Sequence, residues 1–399
     1  MKINIPSFVG ARRLILCFYS VALMFILFVS NDIQFVSADD EARKCTGVHN
    51  DFSQDASQPR TMGGIALSND GRRFVVAVDD RGWSDLFAFD AINGRLLLDL
   101  ALPDPASSVA LGPTGSTLAV SFSMRPPGCP HIVLLKETEG GAFISPEKKD
   151  NLPKFTNGTT EVVNFSSDGK LLAASLDRGV YVWDISSGRA VAEIEPPGFE
   201  TRQGIDSPQE LVFSPDSKYI VGISGRNPRA YLWNLKTRHL IDTFQVKKSS
   251  SVIGTAVFSN DGSLIAVGTN GPIIIWNTRT GAIVGQIPRP ADGPISPVAF
   301  MGPKKLVVSG VVSLNLWDLS RRKPVLMRDL RPPGMAVDVV FPLSSGRLIG
   351  LTSNGAWEKN PEKPLEIRLI EVPSGKVIST MQVPGRKVDS ALKGISKPE

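Results

Sequence analysis

Three histidines, His49, His131 and His239, and three cysteines, Cys17, Cys45 and Cys129, are the chain's whole supply of imidazole and thiol. They are scattered, and no pair of histidines has the spacing of metal ligands, whereas zinc sites gather His and Cys in clusters. The sequence has no Cys-x-x-Cys, no Gly-x-Ser-x-Gly elbow, no His-Glu-x-x-His and no phosphate-cradling Gly-Lys-Ser/Thr loop. No catalytic residue, metal or cofactor is therefore expected. What remains is a set suited to binding: Arg81, Arg125, Arg178, Arg226 and Arg229, with Trp83 and Trp357. A guanidinium is a planar fork that fits a carboxylate or phosphate, and an indole offers a large apolar face with one polar atom. Asp79, Asp80 and Asp177 stand beside several of these arginines. Ordinary exposed ion pairs, which contribute little, are the competing explanation.

The elements that must position these residues are short strands. Phe258 to Gly281 shows them most clearly. Phe258 ends one apolar strand, Asn260-Asp261-Gly262 supplies a tight turn, and Leu264 to Val267 reads as a buried strand. Asn270-Gly271-Pro272 turns the chain into the β-branched run Ile273 to Trp276, and a further turn leads to an outer strand over Ala282–Ile287. Imperfect copies of this unit start at residues 67, 111, 165, 213, 258, 300 and 341, between 41 and 54 residues apart. A period in the mid-forties with four strands per copy is the signature of propeller blades. The expected fold is all-β: a seven-bladed β-propeller of four-stranded antiparallel blades. In that arrangement the arginines fall on the loops between second and third strands, and Arg202, Arg289 and Arg331 on the connections between blades, all on one face. Trp83 and Trp357 are expected in the same loops.

Third strands end in Phe89-Asp90, Trp183-Asp184, Trp233-Asn234, Trp276-Asn277 and Trp317-Asp318. Over about residues 61–384 the chain resembles the tryptophan-aspartate (WD) repeat family, whose motif closes the third strand with an aromatic followed by Asp. Leu135-Lys136 and Ile370-Glu371 stand in the motif's place in blades two and seven. The family's hydrogen-bonded tetrad is incomplete: Ser175, Asp177 and Trp183 match in blade three, but no Gly-His dipeptide occurs. The repeat positions Asp70, Asp168 and Asp261, with Trp183, Trp233, Trp276 and Trp317, read as blade construction, the tryptophans packing between sheets. The family also tends to complete its last blade with an N-terminal strand. Here Val377 to Val383 already supplies a fourth strand, so either the ring closes without a clasp or residues 47–55 add one.

Residues 1–38 have the form of a signal peptide: Lys2, Arg12 and Arg13, an uncharged run from Leu14 to Val29, and Val36-Ser37-Ala38 before an expected cut. An uncleaved anchor is the alternative. The formal charge of +5 falls to +3 without this segment, which argues against nucleic acid. Residues 39–60 read as a tail or strap, 61–384 as the propeller and 385–399 as a flexible tail. In an oxidising compartment Cys45 and Cys129 can pair, or stay as two thiols. The resemblance implies an exported, monomeric scaffold of bacterial periplasmic type, with secreted and membrane-anchored forms as alternatives. It has no span in the mature chain and binds an anionic protein or peptide through the loop face. Two rivals stand: an enzyme resembling lactonases or quinoproteins, with a metal or cofactor held over the central channel by residues such as Asp79, Asp80, Asp177 and Asn270, and a cell-envelope assembly factor.

Overall fold

The computed structural model describes residues 61–385 except 81–82, 103–104, 123–131, 139–142, 145–159, 177–178, 196–207, 225–228, 246–252, 270, 290–294, 311–312, 322, 334–336, 338, 344 and 354–363; nearer the start it describes three short strands, Leu14–Ile15, Leu27–Val29 and Asp32–Gln34. The cleavage site, the segment 39–60, Cys45, Cys129 and the C-terminal tail lie outside the described residues.

The chain forms a seven-bladed β-propeller, each blade built from four antiparallel strands consecutive in sequence. In blade five the strands are Ile253–Phe258, Leu264–Thr269, Ile273–Asn277 and Ile283–Ile287. The first strands of successive blades lie against one another around the axis, so each blade runs outward from first strand to fourth. This explains the hydropathy pattern. Middle strands are covered on both faces by neighbouring blades and read as continuous apolar runs, as in Leu264–Thr269 and Ile273–Asn277. The outer strand Leu96–Leu102 alternates between buried and half-buried residues from Leu98 onward, while the outer strand Val325–Asp329 is exposed throughout.

The core is divided into seven apolar clusters, one at each junction between neighbouring blades. Trp183, Trp233, Trp276 and Trp317 each pack at the junction with the preceding blade. Trp183 and Trp233 are 1% exposed. The ring closes in the same way: Phe74, Val76, Phe87 and Phe89 of blade one meet Ile349, Leu351, Ile367 and Met381 of blade seven. Blade seven has its own fourth strand, Val377–Val383, and among the described residues no strand is exchanged across the seam; residues 47–55, the other source considered for a closing strand, lie outside them. The first blade's sheet carries a two-residue parallel addition, Leu14–Ile15 beside Leu100 and Ala101.

The turns between first and second strands in blades one, three, four and five share one device. In blade five the Gly262 amide reaches the Ser259 carbonyl at 2.8 Å, and Gly262 takes φ 70°, where a side chain would be strained. Ser259 Oγ donates to Asp261 at 2.6 Å and accepts the Leu264 amide at 2.9 Å. Asp261 in turn accepts the Ser263 amide at 3.0 Å. The same Ser–Asp bond, 2.6 Å long, recurs at Ser68–Asp70, Ser166–Asp168 and Ser214–Asp216. Desolvation raises the carboxylates of Asp168 and Asp216, but the serine bond together with the backbone amide and nearby lysine outweighs it, and at Asp261 the Ser259 bond leads; all three lie below the ordinary carboxylate range. Blade four departs by placing Ser217 and Arg238 at φ 56° and 60°, where other blades use glycine.

Candidate functional site

Because the blades share one orientation, the ring has two unlike faces. One carries the short turns just described, together with those between third and fourth strands. The other carries the loops between second and third strands and the blade-to-blade connections. Their lengths vary, from the two residues between Asp80 and Trp83 to the fifteen between Ile144 and Thr160. Loops held on a rigid frame are where recognition residues concentrate.

Of the residues expected there, Arg81, Arg125, Arg178, Arg226 and Trp357, with Asp177, lie outside the described residues. Two are placed differently from the expectation. Trp83 opens the third strand of blade one, opposite Asp80, because the intervening loop is a two-residue hairpin and both strands run to its edge. Arg229 likewise opens the third strand of blade four, opposite Ser224, and is half-buried. Of the arginines on the connections, Arg331 pairs with Asp329 at 2.7 Å.

At the mouth of the channel on this face the first strands are kinked. The register skips one residue between Met62 and Gly64, between Ala106 and Ser108 and between Thr160 and Val162, and shifts again between Ile253 and Ala256. Such bulges re-aim side chains at a sheet's end. In blade one Gly63 is the extra residue, and the Asp79 carboxylate lies over it, in space a Cβ would occupy. Ser84 donates to Asp79 and accepts the Ala106 amide at 2.8 Å, linking blades one and two. Burial raises the Asp79 pKa above the ordinary carboxylate value, with the Ser84 bond acting in the opposite direction. In blade two the extra residue is Ser107; its hydroxyl is buried and has no hydrogen-bond partner among the described residues, and the Thr255 hydroxyl of blade five is in the same state.

A second carboxylate occupies the inner ring. Glu210, on the first strand of blade four, accepts the Ala256 amide of blade five at 3.3 Å. It is half-buried by surface area, since water can enter beside it. Protein nevertheless surrounds the carboxyl, and desolvation pushes its pKa up to about 8, only partly offset by the amide. Asn164 of blade three makes an analogous link, its Nδ2 donating to the Leu211 carbonyl at 2.9 Å. Inner-strand side chains thus staple neighbouring blades.

Glu210 and Ser84 were missed by sequence reasoning, and neither belongs to a motif; once the blades are aligned, the acid at the start of a first strand is the signal for Glu210, while Ser84, near the start of a third strand, leaves none. In the tetrad region Ser175 is fully buried, and its hydroxyl has no partner among the described residues. No cluster of three potential metal-ligating acids, histidines or cysteines occurs among the described residues. No helix there is long and apolar enough to cross a membrane.

The family model described as "WD domain, G-beta repeat" matches residues 156–184, which hold the first three strands of blade three. An uncharacterised WD repeat-containing protein of Deinococcus radiodurans is 32% identical over 145 residues, covering 31% of this chain and 52% of that protein. A BTB/POZ domain and WD-repeat protein of Acanthamoeba polyphaga mimivirus is 28% identical over 141 residues, 35% of this chain and 25% of the relative. The matches therefore span about half or less of these relatives' own lengths. Among solved structures, Kuenenia stuttgartiensis hydrazine synthase superposes with TM-score 0.57 at 16% identity, covering 80% of this chain and 99% of that one, a likeness of fold. The family match and the WD-repeat relatives support the WD-repeat propeller family.

Proposed function

We propose that this chain is an exported scaffold that binds a protein or peptide through the loop face of its propeller and carries out no chemistry of its own. The observation that carries the reading is the asymmetry of the ring. On the turn face, blades one, three, four and five close short turns with their own Ser–Asp bonds, while loops of unequal length, where Arg81, Arg125, Arg178 and Arg226 are expected, belong to the other face. WD propellers typically bind proteins, and the match over residues 156–184 supports the same use here. The arginines favour an acidic partner, and Asp79 and the bulged Ser107 and Thr255 add hydrogen-bonding groups at the mouth. The segment 1–38 supports export, with the periplasm as the compartment.

The test is cross-linking of the mature protein in cells, with identification of what it holds, repeated with Arg125→Glu, Arg178→Glu and Arg226→Glu combined. Capture should be abolished. Undiminished capture by the triple variant would sink the assignment of this face.

A further inference from the structure

Exposed aliphatic side chains are not scattered over this ring. Of the twelve large hydrophobic residues exposed among the described residues, ten lie in the turn leading into an outer strand or in that strand's first three residues. In blades four to six they occupy one repeated place: Leu240 and Ile241, Ile283 and Val284, Val325 and Leu326, each between 36% and 52% exposed. Propeller blades are related by rotation about the channel axis, so side chains at one repeated place share a plane perpendicular to it. That plane is the outer rim of the turn face.

Cations stand directly beside the aliphatics, on the turns that feed these strands: Lys236 in blade four, Arg279 in blade five, Arg321 and Lys323 in blade six. All four are exposed, and Arg321 lies near enough to Asp318 to help hold that carboxylate below its ordinary range, after the bonds from Ser320. Asp318 shares blade six's turn, where its oxygens accept the Ser320 amide at 2.8 Å and hydroxyl at 2.9 Å. Asp242, on blade four's outer strand, turns toward Gly281. In blades four to six the outer rim thus carries a belt of aliphatic side chains beside exposed cations, and its counterpart is a negatively charged, apolar-backed surface.

We propose that this belt seats the ring, turn face down, on an anionic lipid surface. The aliphatic tips enter the headgroup boundary and the cations pair with lipid phosphates. Penetration is shallow, because the outer strands' edge N–H and C=O groups need water beyond the first residues. The loop face then points away from the lipid, and the inference does not rest on the binding assigned to that face.

The experiment is co-sedimentation of the mature chain with vesicles of phosphatidylcholine alone and of phosphatidylcholine with 30% phosphatidylglycerol. Binding is expected to the anionic vesicles only and to weaken with salt. Removing cations in the combined variant Arg279→Gln, Arg321→Gln, Lys323→Gln should lower partitioning by about fivefold per residue, about a hundredfold together. A separate pair, Ile283→Ser with Leu326→Ser, should lower the binding that survives at high salt. Circular dichroism and thermal midpoints establish that the variants fold. Equal binding to neutral vesicles, no binding to anionic ones, or partitioning unchanged in the folded variants would each overturn the proposal. So would tight binding to polyglutamate with none to vesicles, which would make the belt a site for acidic protein.

Discussion

The hydroxyl of Ser379, on the last outer strand, donates to the backbone carbonyl of Ala91 in the first blade's outer turn, joining residues 288 positions apart. Both groups are buried, and this bond crosses the seam where the ring closes. Ser379→Ala should leave that carbonyl without its partner and cost about 1–3 kcal/mol. Gly94, in the same turn, lies against the Thr380 backbone at φ 74°, so Gly94→Ala should be worse than Ser379→Ala. Urea unfolding of the two variants measures both; a Gly94→Ala protein as stable as the parent would contradict this account of the seam.

Trp276 is 3% exposed, and its ring lies 5.1 Å from that of Phe244 across the junction of blades four and five. Truncation to alanine should cost about 3–5 kcal/mol. Calorimetry showing an unchanged melting temperature would exclude a core role for this indole.

Arg238 holds φ 60° in an exposed turn where blades one, three, five and seven have glycine. Arg238→Gly should stabilise the protein by about 0.5–1 kcal/mol, the relief of a left-handed side chain exceeding the added freedom of the unfolded chain. The thermal midpoint should rise; a fall would show that Arg238 makes a contact worth more than its strain.

Glu210 ties the stability of the ring to pH. Its carboxyl holds a proton up to about pH 8 in the folded chain, against an ordinary value of 4.5. The folded state therefore binds the proton more tightly, and this contribution is complete below pH 4.5 and lost as pH rises toward 8. Glu210→Gln keeps an acceptor for the Ala256 amide and removes the titration. Midpoints of parent and variant should coincide at acid pH and separate at alkaline pH. The variant should then be more stable by on the order of 1–3 kcal/mol, the side chain being partly wet. Parallel pH profiles would show that Glu210 does not carry this dependence.

Much of the ring could be read from local residues. The Asp-Gly turns, the β-branched middle strands and the third-strand tryptophans each leave a mark on the sequence, because a covered strand must be apolar and a tight turn must accept positive φ. Blade five's strand limits differ from the sequence expectation by only a residue or two. Closure was not legible in this way. Whether blade seven needs a strand from elsewhere depends on packing between Phe74 and Leu351, positions far apart in the chain, and local pattern carries no record of it. Ser259 and its equivalents are visible in the repeat, but that their hydroxyls close the turn follows only from geometry. Trp83 was expected in a loop because strand ends at a two-residue hairpin are set by pairing across the sheet, not by residue type. Glu210 was invisible for a related reason: an isolated acid in an apolar run acquires meaning only when the neighbouring blade's Ala256 amide is brought beside it.

That each blade draws its four strands from one contiguous segment has an evolutionary reading. A ring whose last sheet borrows a strand from its first must keep both ends of the chain in step, and losing or copying one unit breaks that pairing. Here the four strands of every blade are consecutive in sequence. Duplication, deletion or circular permutation at a blade boundary would leave each remaining sheet intact, and only the wedge angle between neighbours would have to adjust. Units drifting at their own pace under that freedom would come to differ in spacing and motif strength, as these seven do.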